Sequence, residues 1–232
     1  MSGPERREAT ADLSGNGLHV RAGFRLTSAG PLARGPVEIA FFVENLSEDP
    51  LFVALAGDRM SGRPAGVAFS ARCDGTPLRD PAAAVPDFGG PVGTVVVAAR
   101  SSLEQELVLN EFVRLEDVPA AQPGGGTARL EVACRRPFPL ATTERAALIS
   151  SAAPLIAVDL AFDLRDDPPA LAALLTELLD RVLHGPAAER ERPLRLLLSL
   201  RSAARAQLES LARQPDPVVA GRARHALAAS TR

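Results

Sequence analysis

Three histidines, two cysteines and scattered carboxylates are the groups in this 232-residue chain that could carry acid–base, nucleophilic or metal chemistry. Their spacing assembles no familiar site. His19, His184 and His225 are far apart, the cysteines Cys73 and Cys134 form no CxxC, and neither HExxH nor GxSxG occurs. Metallohydrolase and serine-hydrolase chemistry need those spacings to bring ligands, base and nucleophile onto one element. The carboxylates of "ENLSED" and "RLED" could pair for acid–base work or bind calcium. They lack the DxDxDG spacing of a calcium loop, and acidic strand connections ordinarily serve solubility. The sequence therefore nominates no catalytic residue, no metal ligand and no cofactor.

What is missing narrows the field further. All 26 basic residues are arginine, and Tyr and Trp do not occur. Without lysine there is no P-loop lysine, no kinase strand lysine and no Schiff base. "DFGG" at Asp87–Gly90 has no accompanying GK[ST], HRD or GxGxxG, so it reads as loop. The best stacking residues for bases, sugars and proline-rich ligands are gone too, leaving nine Phe, all at or before Phe162. There is no 18-residue apolar run, and the start has no apolar core of the kind a secretion signal carries. The expectation is a cytoplasmic protein without a membrane partner.

Residues 1–16 are polar and without period, and read as a disordered arm. From Gly17 the period is two: Leu18, Val20, Ala22, Phe24 and Leu26, then Ile39, Phe41 and Val43, then Leu51, Val53 and Leu55. Val67 to Cys73, "GTVVVAA", Leu103 to Leu109, Leu130 to Cys134 and Ile156 to Leu164 continue the series. About eight short strands separated by turn residues predict an antiparallel sandwich. That rhythm resembles an immunoglobulin-like β-sandwich, in architecture and not in any Cys–Trp–Cys signature. Cys73 and Cys134 both fall on the apolar phase, where two buried thiols are favoured and an inter-sheet disulfide is conceivable.

At "DLRDDPPALAALLTELLDRVLHGP" the period changes. Asp166 and Asp167 offer N-cap oxygens, Pro168 and Pro169 suit the first helical positions, and Leu171, Leu174, Leu175, Leu178, Leu179, Val182 and Leu183 follow helical spacing up to Gly185. A second helix opens near Pro193 with a break near Ser202, and a third follows "QPDP". Leu197, Ala204, Leu208 and Leu211 share one face, and Val219, Ala223, Ala226 and Leu227 another. "LARQPDPVVAGRARHAL" resembles a HEAT-type repeat, with Asp216 as N-cap and Ala220 where the family usually carries a base. Repeats of that kind need neighbours to bury their faces. The tail should therefore complete its core on the β-rich body, on a second copy of the chain or on a partner.

The fold expected is α+β by segregated regions: a disordered arm (1–16), an antiparallel immunoglobulin-like sandwich (17–165) and a HEAT-like helical appendage of three or four helices (166–232). Charge divides the same way. Residues 168–232 hold 10 Arg against 6 acidic residues, a net of +4, and the remainder carries −6. The leading functional reading is a non-catalytic protein-interaction or scaffold module whose partner is a protein, a second copy of the chain included. It would bind through the free sheet edge or the long loop from Thr76 to Pro91, with Arg79, Asp87 and Phe88 as contacts. A second reading is a regulator meeting nucleic acid or an acidic partner through Arg201, Arg205, Arg222 and Arg224. A third is a carboxylate-dependent enzyme.

Overall fold

A computed structural model describes residues 4–56, 66–81, 92–118, 127–149 and 153–229. The chain is α+β, with antiparallel sheets in its N-terminal part and four helices at its C-terminal end. It divides into two compact units. The first comprises Met1–Ala29, Glu38–Val113 and Arg129–Phe162; the second comprises Gly30–Val37, Arg114–Ala128 and Asp163–Arg232. No helix among the described residues is long and apolar enough to cross a membrane.

The strands are β1 (Glu8–Gly15), β2 (Leu18–Leu26), β3 (Glu38–Asn45), β4 (Leu51–Ala56), β5 (Ala68–Cys73), β6 (Thr76–Pro77), β7 (Val92–Val97), β8 (Ser102–Val108), β9 (Thr127–Pro137) and, after the short helix α1 (Glu144–Ile149), β10 (Leu155–Arg165). They form sheets in the orders β1-β2-β3-β8, β10-β9-β5-β6 and β4-β7. Alternation decides which face is buried. Leu18, Val20, Ala22, Phe24 and Leu26 are enclosed while His19 and Arg21 face water. Phe24 on β2 packs on Phe41 of β3 and meets the edge of Phe69 on β5, with ring centroids 5.2 and 5.5 Å apart. The apolar faces of the first two sheets thus share one core, in which the aromatic rings meet tilted or edge-on. The "NLSED" turn is held from inside: buried Asn45 donates to the carbonyls of Asp49 and Val97 and accepts from the Ser47 N–H.

Two expectations change, and the favoured reading of two buried free thiols stands. Residues 8–15, read as part of an arm, form β1, paired with β2 from Glu8↔Arg25 to Gly15↔Leu18. The connection is Asn16-Gly17, with φ of 53° and 78°, the two-residue turn whose positive φ values match the twist of the flanking strands. Gly23 completes the fit, since a Cβ there would lie 2.2 Å from the Ala9 carbonyl oxygen. The loop expected from Thr76 begins instead as β6, closed on β5 by Asp74-Gly75 in the same kind of turn. Finally, the cysteines cannot pair. Cys73 stands opposite Leu130 and Cys134 opposite Phe69 in the same sheet. Four residues of offset is roughly 13 Å, about twice the reach of a disulfide.

In the second unit the helices are α2 (Pro168–His184), α3 (Glu191–Leu200), α4 (Arg205–Leu211) and α5 (Pro217–Ala229). Asp167 accepts from the Ala170 N–H at 3.0 Å, and Asp216 from Val218 and Val219 at 2.9 and 3.2 Å, so both act as N-caps. The break between α3 and α4 centres on Arg201, whose φ of 48° no helix accommodates. Leu197, Ala204, Leu208 and Leu211 are buried, as are Ala220, Ala223 and Ala226. The segment Gly30–Val37 joins this unit. Leu32 bridges Arg165, and Leu171 of α2 lies 3.6 Å from where a Cβ on Gly35 would stand.

Candidate functional site

The sheet β10-β9-β5-β6 has one face in the core and one outside, and the outer face carries an open concavity. Phe69, Ala71 and Cys73, Leu130, Val132 and Cys134, and Ile156, Val158, Leu160 and Phe162 point inward. Between them, the outward residues are short where the sheet is centred: Ser70, Ala133 and Ala161. Longer side chains surround them, leaving a trough of about 590 Å³ lined by Arg6, Arg72 and Arg129, with Pro77 and Leu78 at its far end. That volume lies within the range of about 300–1,000 Å³ usual for ligand sites.

Its electrostatics are uneven. Asp159 is engaged by Arg135 at 3.2 Å, and the same Nη1 donates to the carbonyls of Cys134 and Val158. Arg129 donates through Nη2 to the Pro4 carbonyl, and its N–H reaches Asp74 Oδ1 at 3.0 Å. Glu131 sits directly across from Arg72 in the ladder. Among the described residues, neither Arg6 nor Arg72 has an ion-pair partner within 4 Å.

The trough ends at a sheet edge. In an antiparallel ladder, both backbone groups of a residue point to the same neighbour, and successive residues alternate. Ala161 exchanges both bonds with Arg6, at 2.6 and 2.9 Å, while Pro154 accepts from Phe138 on the β9 side. The odd-numbered residues of β10 therefore face away from β9. Leu155, Ala157 and Asp159 aim their N–H and C=O groups at that edge, and no described residue bonds them. Leu155 to Val158 are apolar, Leu155 is 55% exposed, and the stretch ends at exposed Asp159. The edge strands of the other four-stranded sheet differ: β1 exposes Glu8 and Asp12, and β8 exposes Glu104 and Glu106. Charges on an edge discourage strand addition, and an exposed apolar edge invites it.

The residues nominated from sequence fall elsewhere. Arg79 is exposed just after β6 and makes contacts of its own, while Asp87 and Phe88 lie outside the described residues. Each of the four tail arginines has a partner. Arg205 pairs with Glu209 at 2.9 Å, Arg222 grips Glu191 with two bonds of 2.8 and 2.9 Å, and Arg224 donates to the Ala212 carbonyl. Arg201 also has a partner. The bond from Arg222 holds the Glu191 carboxyl below its usual range. His19, His184 and His225 are exposed, and His184 meets Asp180 one helical turn away.

Sequence reasoning missed Arg6, Arg72 and Arg129, which three distant stretches deliver to one face. It also missed Arg136, 3% exposed, whose guanidinium stacks 4.1 Å from the Phe41 ring centroid and donates to Gln105 Oε1 at 2.9 Å. Burial pushes Arg136 down to about 10, so it remains a cation at neutral pH. Continuing the alternation Leu130, Val132, Cys134 by one step would have marked it as inward-facing. The thiols are no nucleophiles: burial pushes Cys73 up to about 11 and Cys134 up to about 12. Among the described residues, no group of three His, Cys, Asp or Glu could hold a metal ion. The chain matches no protein-family model and no curated protein.

Proposed function

We propose that this chain is a non-catalytic protein-interaction module that docks an extended segment of its partner along the edge of β10. In this reading the β-rich part is an immunoglobulin-like sandwich and the helices are a HEAT-like appendage. One observation carries it: the outward backbone groups of Leu155, Ala157 and Asp159 lack partners among the described residues, and Leu155 to Val158 carry no charge, whereas β1 and β8 have acidic residues spaced along their edges. Strand addition supplies affinity through main-chain bonds, and alternate side chains supply selectivity. Two thiols too far apart to pair suit a reducing compartment, in keeping with a cytoplasmic location. Contact with nucleic acid through the tail has less to draw on, because Arg205, Arg222 and Arg224 are already engaged.

Ala157→Pro tests the proposal. The outward N–H of Ala157 takes no part in the ladder with β9, so proline at this edge position deletes a docking donor while leaving the sheet paired. Circular dichroism should show an unchanged fold, and the proteins that co-purify with the wild-type chain from its native host should be lost. Retention of the same set by the variant overturns the edge as the docking surface.

A further inference from the structure

We infer that the segment docked at β10 is acidic, its carboxylates meeting Arg6 and the arginines of the trough; this rests on the edge-docking reading above. The argument starts from a local reversal of charge. Residues 1–167 carry a net charge of −6, yet the trough on this part of the chain gathers Arg6, Arg72 and Arg129 against Glu131 and an Asp159 that is paired with Arg135. A cationic patch on an acidic body is the arrangement that selects and orients an anionic ligand, because like charge elsewhere turns it away.

Position makes the patch relevant to the edge. Arg6 pairs with Ala161, two residues beyond Asp159 on the same side of β10. The bridge is antiparallel, so Arg7 and Glu8 leave Arg6 on the Asp159 side before joining β2; a strand laid against Leu155 and Ala157 ends roughly 13 Å from Arg6 along the edge, a gap that a Glu side chain and the long Arg6 side chain close together. Paired residues in a ladder project to the same face, so the Arg6 side chain shares the outer face with Ala161, the face on which the trough opens. Arg6 and Arg72 have no competing ion pair among the described residues, and a guanidinium binds a carboxylate through two parallel bonds. The short floor residues Ser70, Ala133 and Ala161 leave room for a chain to continue past Arg6 toward Arg72. The ligand class that fits is an extended peptide with apolar residues toward the edge and Asp or Glu on the outer face.

The test uses the full chain and two fluorescein-labelled peptides of about eight residues, a usual strand length or slightly more. They share alternate Val and Thr residues and carry either Glu or Gln between them; binding is read by fluorescence anisotropy. The Glu peptide should bind about tenfold more tightly than the Gln peptide, with the gap closing at about 0.5 M salt. Arg6→Glu and Arg72→Glu, both at exposed positions, should each abolish the preference while leaving the melting curve unchanged. Equal binding of both peptides, lost in Ala157→Pro, overturns the acidic inference and leaves the edge reading standing. Tight Glu binding that survives Ala157→Pro but not Arg72→Glu keeps the acidic trough and overturns the edge. Binding of neither peptide overturns both.

Discussion

The helices near the C-terminus and the strands before them bury apolar surface by different routes. In the helical unit, each element carries its own instructions: Asp167 caps α2, Asp216 caps α5, and the leucines between Leu175 and Leu211 recur at helical spacing within one or two turns. In the β-rich unit, the decisive contacts join residues remote in sequence. Phe24 meets Phe69, Phe41 meets Phe138, and Arg136 stacks on Phe41. The helical unit is specified locally; the strands become a core only once distant segments have met.

That contrast can be broken most forcefully at the two cores. Phe24 and Leu208 are both fully buried. Phe24→Ala should cost about 3–5 kcal/mol and Leu208→Ala about 2–5, since each leaves a cavity that rigid neighbours cannot fill. Hydrogen exchange read by mass spectrometry distinguishes the routes. Phe24→Ala should lower protection in β2, β3, β5 and β9 together, whereas Leu208→Ala should affect α3, α4 and α5. Loss confined to β2 in the first variant would mean that the strands are as locally specified as the helices.

The two regions also differ in which end of the pH scale harms them. Cys73 and Cys134 belong to the β-rich unit, and burial holds both thiols protonated up to about 11 and 12, with the nearby Asp74 and Asp159 adding to the effect. Unfolded thiols ionise near 9, so above that pH the unfolded chain releases protons that the folded one retains. Stability is therefore intact below pH 9 and falls as pH rises, by about 1.4 kcal/mol per thiol for each unit, or about 3 kcal/mol for the pair at pH 10. Denaturant titrations at pH 8 and pH 10 measure it, and Cys73→Ala with Cys134→Ala should flatten the slope. In the helical unit, Arg222 depresses Glu191, a stabilisation present above the ordinary carboxylate range and lost as pH falls through the lowered value. The pair is exposed and salt-screened, so its loss should be below about 1 kcal/mol.

The same contrast governs what could be read from the chain beforehand. α2 was legible to within a residue or two because cap, prolines and leucine stripe are contiguous, and the break near Ser202 was legible because the stripe falters there. β1 was not, because as an exposed edge it has few apolar residues to alternate. Its signal was the Asn16-Gly17 dipeptide, which only a hairpin turn explains. The strands were legible one at a time, but their order and register were not, since nothing local says that Cys134 faces Phe69 and not Cys73. The trough was least accessible. Arg6, Arg72 and Arg129 acquire common meaning only when residues from three stretches of the chain reach one sheet face. The tail arginines were conspicuous in sequence, and the fold engages them with Glu191, Glu209 and the Ala212 carbonyl.

The smallest expected effect sharpens the local side of the comparison at Asp216. As an N-cap it needs only an acceptor oxygen, and Asn caps about as well as Asp. If Asp216 also needed its charge, as in a ladder to a base on a neighbouring repeat, Asn would fail where a cap succeeds. The position that would hold such a base within this unit is Ala220, which is 2% exposed and lies in the packed interior. Asp216→Ala should therefore cost about 1 kcal/mol by leaving the Val218 and Val219 N–H groups unpaired, while Asp216→Asn should lie within about 0.3 kcal/mol of wild type. Urea unfolding of both variants decides between the roles. A loss in Asp216→Asn as large as that in Asp216→Ala would assign the residue an electrostatic partner beyond its own helix, and the helical unit would no longer count as locally specified.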